Sequence, residues 1–249
     1  MTQVDQSNRE GAIRMSVSRL DKLLSDSGRY TRSEARAAIR GGRVTVCGEI
    51  VRKPEEKFYP KTAEIRADGE RIDWASSRYL MLNKPAGVLS ATDDPRQPTV
   101  LDLLSPELRR QGLFPVGRLD KDTTGLLLLT NDGDFAHRVI SPKKHVPKRY
   151  RAVLDGPLGP EDAAAFAEGL TLSDGTKCLP ARLELPEENV GLVTVYVGKY
   201  HQVKRMFAAR GRHVTALHRE QIGALRLDKT LDPGEYRVLS PEELAAVFE

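Results

Sequence analysis

Apolar positions along this chain gather in short runs separated by turn residues. The densest is Leu126, Leu127, Leu128 and Leu129, flanked by Gly125 and by Thr130-Asn131-Asp132-Gly133. A short apolar run bounded in this way predicts a strand buried on both faces. Residues 79–82, 150–154, 192–197 and 236–239 predict further strands, and Val44-Thr45-Val46, Gly48-Glu49 and Ile50-Val51 predict a hairpin, with a second turn at 67–70. Helical spacing places Leu20, Leu23 and Leu24 on one face of a helix begun at Ser18-Arg19-Leu20-Asp21 and ended near Ser27-Gly28. Thr31-Arg32-Ser33-Glu34 reads as a capping box for a helix that runs to Arg40 and stops at Gly41-Gly42. Further helices are expected at 101–110, 135–140, 160–168, after Gly198-Lys199 with Val203, Met206 and Phe207 on the apolar side, and after Ser240. Strands and helices interleave without a βαβ rhythm. The chain therefore reads as α+β: a small α/β domain of two helices and a small sheet at 16–73, a linker at 74–78, and a larger mixed, mainly antiparallel sheet domain at 79–249. Residues 1–15 are polar and are expected to form a disordered arm.

Composition narrows the class. With 39 Lys and Arg against 35 Asp and Glu the net charge is +4, which suits a polyanionic partner. Only Cys47 and Cys178 are present, so disulfides and thiolate zinc sites are not expected, and no apolar run approaches a membrane span. These features predict a cytoplasmic protein.

Charge placement says more. Arg32, Arg36 and Arg40 recur every fourth residue on the second helix, with Arg29 and Arg43 at its ends, and only Glu34 lies within the helix to balance them. Such a row matches phosphates spaced along RNA, and the competing reading is a solvated arginine face. Lys84 sits in a Pro-Gly turn that either aims it at a phosphate or is purely structural. The basic loop at 141–150 carries Lys148 and ends in Tyr150, whose ring either stacks on an unpaired base or fills the core. His201, Gln202, Lys204, Arg205, Arg210 and Arg212 form a second basic patch, in which His201 alone reads as a capping or core histidine. Arg118, Asp120, Lys121 and Asp122 crowd a Gly-flanked turn just before the four leucines, where charged groups can be held by a sheet and still reach a ligand. Asp120-x-Asp122 imitates the opening of a calcium loop, but Asn131 occupies the twelfth position and leucines replace the oxygen ligands, so no metal is expected.

Gly117-Arg118-Leu119-Asp120 followed by the sequence from Thr124 to Gly133 resembles the catalytic motif of RNA pseudouridine synthases. Asn83-Lys84-Pro85-Ala86-Gly87, Lys148-Arg149-Tyr150 and the sequence from Gly198 to Phe207 resemble that family's other motifs, in the family's order. The match is closest to the branch that modifies small-subunit (16S) ribosomal RNA, and residues 40–51 resemble the αL RNA-binding module of ribosomal and tRNA-synthetase proteins. The resemblance implies a large sheet with a central cleft, isomerisation of a uridine in ribosomal RNA or an assembling particle, a monomer, and no cofactor. It implies Asp120 as the catalytic carboxylate, Tyr150 as the ring that stacks on the base and a candidate acceptor of the C5 proton, and Lys204 as the partner of Asp120. Many relatives have Arg in place of Lys204, with a bidentate fork that lysine lacks. Arg118 is a candidate to fill the gap left by the flipped base. Arg29, Arg32, Arg36, Arg40, Arg43, Lys84, Lys148 and Arg205 complete the expected RNA contacts. Two alternatives stay open: a synthase acting on 23S ribosomal RNA, and a catalytically silent RNA-binding or ribosome-assembly protein.

Overall fold

The computed structural model describes residues 17–59, 63–72 and 78–249. The arm expected at 1–15, and the linker expected at 74–78 apart from Arg78, lie outside the described residues. The chain divides into two compact units, Met1–Ser76 and Ser77–Glu249.

In the first unit β1 (Ser18–Arg19) leads into α1 (Leu20–Asp26), and α2 (Arg32–Arg40) follows. The remaining strands are β2 (Val44–Val46), β3 (Glu49–Ile50), β4 (Lys57–Phe58), β5 (Ile65–Ala67) and β6 (Glu70–Arg71). An antiparallel sheet runs β3-β2-β5-β6, and β1 pairs with β4. Leu20, Leu23, Leu24, Ala35, Ala38 and Ile39 of the helices share one core with Val44, Val46 and Ile65. The capping box forms: the Thr31 hydroxyl accepts the Glu34 N–H at 3.2 Å and the Glu34 carboxylate accepts the Thr31 N–H at 2.7 Å.

Two local expectations shift. Ser18 lies in β1 and does not cap α1; the N-cap is Arg19, and the N–H groups of Leu20 and Asp21 donate to the carbonyls of Glu56 and Pro54 at 2.8 and 3.0 Å. A tertiary contact thus satisfies the helix end that a serine was expected to cap. The hairpin turns at Cys47-Gly48, one residue earlier than expected, with φ of 51° and 87° that suit a tight two-residue turn.

The second unit holds β7 (Tyr79–Lys84), α3 (Pro106–Arg109), β8 (Phe114–Pro115), β9 (Thr124–Thr130), α4 (Gly133–Ile140), β10 (Lys148–Leu154) and α5 (Pro160–Glu168). It continues with β11 (Arg182–Glu187), β12 (Val190–Val195), α6 (Gln202–Ala208), β13 (Val214–Ile222), β14 (Leu225–Arg226), β15 (Tyr236–Val238) and α7 (Pro241–Ala246). Its sheet runs β11-β12-β10-β13-β9-β7-β15, with β14 on β13 and β8 on β9. β9 and β13 are parallel, and the other pairings are antiparallel. The mixed, mainly antiparallel expectation holds.

β9 is the strand of four leucines. Leu127 and Leu129 belong to one core with Leu80, Leu82 and Phe166, whereas Leu126 and Leu128 belong to another with Met81, Phe135 and Ile222. Each fully buried leucine contributes about 1.5–3 kcal/mol, and a one-residue slip would send each leucine to the opposite core. The run therefore pins the register on which the loop before it depends.

The helix expected at 101–110 is broken into a 3-10 turn, Val100–Leu103, and the short α3. Pro106 forces Ser105 into extended backbone, and Ser105 then caps α3. No strand was expected at β11 or β13. β13 hides because His218, Arg219 and Glu220 interrupt its apolar pattern, although it lies between β10 and β9.

Candidate active site

Asp120 sits on the loop between β8 and β9, and a buried cation holds that loop. The Lys84 ammonium, at the end of β7, is fully buried and donates to the carbonyls of Pro85, Asp120, Lys121 and Thr123 at 3.0, 3.2, 3.3 and 3.0 Å. Ser90 adds a second clasp, accepting the Leu119 N–H at 3.0 Å and donating to the Leu119 carbonyl at 2.8 Å. The Gly87 N–H donates to the Lys121 carbonyl at 2.8 Å. Burial lowers the pKa of Lys84 to about 8 against the opposing pull of Asp122 and Asp120, which leaves it mostly protonated at neutral pH. The expected phosphate contact by Lys84 is therefore corrected. Its ammonium faces the backbone of the loop and leaves no surface for RNA.

Above this clasp the Asp120 carboxylate is partly exposed and meets two side chains of the segment that opens α6. Lys204 Nζ lies 3.3 Å from Oδ2, and His201 Nε2 lies 3.4 Å from Oδ1. The expected pairing of Asp120 with Lys204 is present in the geometry. Lys204 also contacts the Asp122 carboxylate at 2.6 Å, so one ammonium bridges two acids. Burial alone would lower the Lys204 pKa, but the hydrogen bond to Asp122 and the charges of both acids outweigh it and raise it. The hydrogen bond from Lys204 likewise lowers the pKa of Asp122. Asp122 is thus more than a turn former.

His201 was expected to cap a helix or fill the core. It occupies the N-cap position of α6 without a side-chain cap bond, in the left-handed region at φ 47°, and its ring lies against Asp120. Its three-residue spacing from Lys204 was the available signal, since residues three apart are neighbours on a helical surface.

Tyr150 lies on β10 with 8% of its surface exposed, in the same core as Leu80 and Leu127. Its hydroxyl accepts from Arg219 Nη1 at 3.3 Å, and Arg219 Nε donates to the Leu126 carbonyl at 2.7 Å. Arg219, itself 2% exposed, was missed because its strand was missed. Lys84, Gly125, Arg219 and Tyr150 stand opposite one another across β7, β9, β13 and β10. One row across the sheet thus joins the lysine that holds the Asp120 loop to the tyrosine.

The remaining expected RNA contacts divide. Lys148 is half-buried and donates to the carbonyls of Val146 and Val139 at 2.9 and 3.3 Å; burial, and then the charge of Arg219, lower its pKa to about 8. That corrects its expected outward role, because the ammonium ties down the preceding loop. Arg205 pairs with Asp174 at 2.6 Å, and Arg118 is exposed. In the first unit Arg29 pairs with Glu70 at 2.8 Å and Arg43 with Asp68 at 3.2 Å. The arginine row is not balanced by Glu34 alone, since the fully buried Asp21 of α1 takes Arg32 at 3.4 Å, Arg36 at 3.1 Å and Arg19 at 3.0 Å. Burial pushes the Asp21 pKa up, but the hydrogen bonds from Arg19, Arg36 and Arg32 prevail and bring it to about 2. Arg40, at the far end of the row, makes no ion pair among the described residues.

Because Lys204 bridges both acids, its removal leaves two carboxylates without their shared cation. Lys204→Met is expected to slow the single-turnover rate by roughly 10–100-fold, in line with a loss of one buried-side charge contact of about 1.5–3 kcal/mol. Lys204→Arg should keep most of the rate. Equal rates in the wild type and Lys204→Met would show that the bridge has no part in the chemistry.

Residues 78–209 match the family described as RNA pseudouridylate synthase, and residues 18–58 match the S4 domain. An uncharacterised RNA pseudouridine synthase of Bacillus subtilis (strain 168) is 48% identical, over 93% of this chain and 98% of its own. The ribosomal small subunit pseudouridine synthase A of Escherichia coli (strain K12) is 46% identical, over 92% of this chain and 99% of its own. A crystal structure of a pseudouridylate synthase matches with a TM-score of 0.66 and 41% identity, covering 92% of this chain and 99% of that one. The chain belongs to the RNA pseudouridylate synthase family and carries an S4 domain ahead of the synthase segment. It is an RNA pseudouridine synthase. Among its described residues no helix is long and apolar enough to cross a membrane.

Proposed function

We propose that this enzyme converts a uridine of small-subunit ribosomal RNA to pseudouridine, with Asp120 as the catalytic carboxylate. The observation that carries this reading is the partly exposed Asp120 carboxylate between Lys204 and His201, on a loop fixed from below by Lys84. The reaction breaks the bond from N1 to C1′, turns the uracil, forms a bond from C5 to C1′, and moves a proton from C5 to solvent while N1 gains one. A carboxylate serves either as nucleophile or as base in that sequence. The target nucleotide must leave its helix to reach such a group. Tyr150 supplies the ring for the freed base, and its hydroxyl is held by Arg219. The exposed Arg118 is two residues from Asp120 and is suited to the space the base vacates. Arg32, Arg36 and Arg40, with Arg29 and Arg43, line the S4 segment as phosphate contacts, and the two units act as separate RNA-binding and catalytic domains. The small-subunit target rests on the name of the Escherichia coli relative.

The test is to incubate the enzyme with unmodified transcripts of small-subunit and of large-subunit ribosomal RNA, then read carbodiimide adducts as primer-extension stops. A new stop in the small-subunit transcript, and its loss from ribosomal RNA of cells lacking the protein, is the expected result. A stop only in the large-subunit transcript would move the target, and no stop in either would favour a silent RNA-binding role.

A further inference from the structure

Tyr200 is the most exposed large apolar side chain among the described residues, at 75%. Its ring lies flat on the imidazole of His201, with centroids 3.9 Å apart and planes inclined by 16°. The same imidazole touches the Asp120 carboxylate at 3.4 Å. An aromatic platform therefore stands one side chain away from the proposed site of chemistry, with one face backed by His201 and the other open to solvent. His201 reaches this place in left-handed backbone, at φ 47°, a conformation that non-glycine residues seldom adopt. In exchange its ring meets both groups at once, and it gives no cap to the helix it precedes.

We infer that the open face of Tyr200 is a stacking subsite for an unpaired nucleobase beside the uridine held at Asp120. The inference rests on the proposed function, since it takes Asp120 as the point to which RNA is brought. When a nucleotide is flipped out, its neighbours lose a stacking partner. An exposed aromatic face next to the flipped base replaces that partner, and it does so for any base, because every base has a π face. The neighbouring cations are already engaged, Lys199 by the Lys177 carbonyl, Lys204 by Asp120 and Asp122, and Arg205 by Asp174, so the exposed ring is the contact that this stretch offers to RNA. A protein ligand would have no reason to sit beside the catalytic carboxylate. RNA is the partner that the reaction itself brings there.

The experiment compares wild type, Tyr200→Phe, Tyr200→Leu and Tyr200→Ala on the unmodified small-subunit transcript. Filter binding at elevated salt, where phosphate contacts are weakened, gives the affinity, and single-turnover kinetics gives the plateau rate and the half-saturating enzyme concentration. Loss of one stacked base corresponds to about 1–3 kcal/mol, so Tyr200→Leu and Tyr200→Ala are expected to weaken binding and raise half-saturation by roughly 5–150-fold. The plateau rate should fall by less, and Tyr200→Phe, which keeps the ring, should restore the affinity. Wild-type affinity in Tyr200→Leu would overturn the proposal. So would a loss confined to the plateau rate, which would make Tyr200 a buttress for His201 only. If the wild type binds but forms no product while Tyr200→Leu binds weakly, the stacking subsite stands and the proposed reaction falls, so the two readings fail separately.

Discussion

Asp120→Asn is expected to bind RNA with wild-type affinity and to form no pseudouridine, a loss of roughly 10⁴-fold or more if the carboxylate is the group that attacks or takes a proton. The substitution is nearly isosteric, and the contacts that fix the loop do not involve the side chain. Lys84 holds the Asp120 carbonyl and Ser90 holds Leu119, so the loop stays in place. Lys204 keeps Asp122 as a partner, and no buried cation is left alone. Uridine and pseudouridine have the same mass, so the measurement must report the bond: tritium released from C5-labelled RNA, or carbodiimide stops. Asp122→Asn is the comparison, and it is not a neutral one, because Asp122 shares the ammonium that faces Asp120. It should slow the reaction by less than about tenfold, the scale of a single exposed ion pair of up to ~1 kcal/mol. Turnover by Asp120→Asn at the wild-type rate on RNA that it binds normally would remove Asp120 from the chemistry.

The second large effect is expected at Gly125, the residue between Lys84 and Arg219 in the row that crosses the sheet. Its φ is +100°, and a Cβ there would lie 2.4 Å from the Arg219 carbonyl oxygen and 2.9 Å from the Arg219 nitrogen. Backbone cannot move aside as the end of a flexible side chain can. Overpacking of about 1–3 kcal/mol and the backbone penalty of about 1–2 kcal/mol together predict a loss of about 2–5 kcal/mol for Gly125→Ala. For a chain of this size each kcal/mol lowers Tm by roughly 2–4 °C, so thermal unfolding should fall by about 4–20 °C. The alternative to global loss is local: β9 and β13 are joined in parallel only at Thr124 and Gly125. Separation there would release Arg219 from Leu126 and with it the Tyr150 hydroxyl, so a folded Gly125→Ala would still lose activity. A variant with wild-type Tm and wild-type rate would show that the close approach is not required.

Much of this architecture could be read from residue patterns. The four leucines announced β9 because a strand covered on both faces needs no polar alternation, and the Thr31 to Glu34 spacing announced α2 because its capping bonds are local. Elements fixed by distant partners were harder. Ser18 satisfies every local rule for a cap, yet carbonyls at 54 and 56 reach the helix first. β13 carries a buried arginine, and its burial is intelligible only once Leu126 and Tyr150 are seen beside it. Lysines show the same limit. Lys84 and Lys148 each turn inward to backbone carbonyls, whereas a lysine in a turn or loop ordinarily points to water. At the candidate site the sequence resemblance pointed to Asp120 and Lys204 as a pair, but not to His201 or Asp122, whose roles come from groups far away in the chain or from a backbone conformation that no pattern announces; in the first unit Asp21 was hidden in the same way, because its partners Arg32 and Arg36 lie on another helix.

Asp21 bears on how the first unit would meet RNA. An arginine free in water samples many rotamers, and fixing one on a phosphate costs about 0.5–1.5 kcal/mol of entropy. The buried carboxylate already restrains Arg19, Arg32 and Arg36, and Arg36 uses only its Nε for that contact. Part of the ordering of these three side chains is therefore completed when the protein folds, and an acid buried beneath a basic surface is what sets their directions.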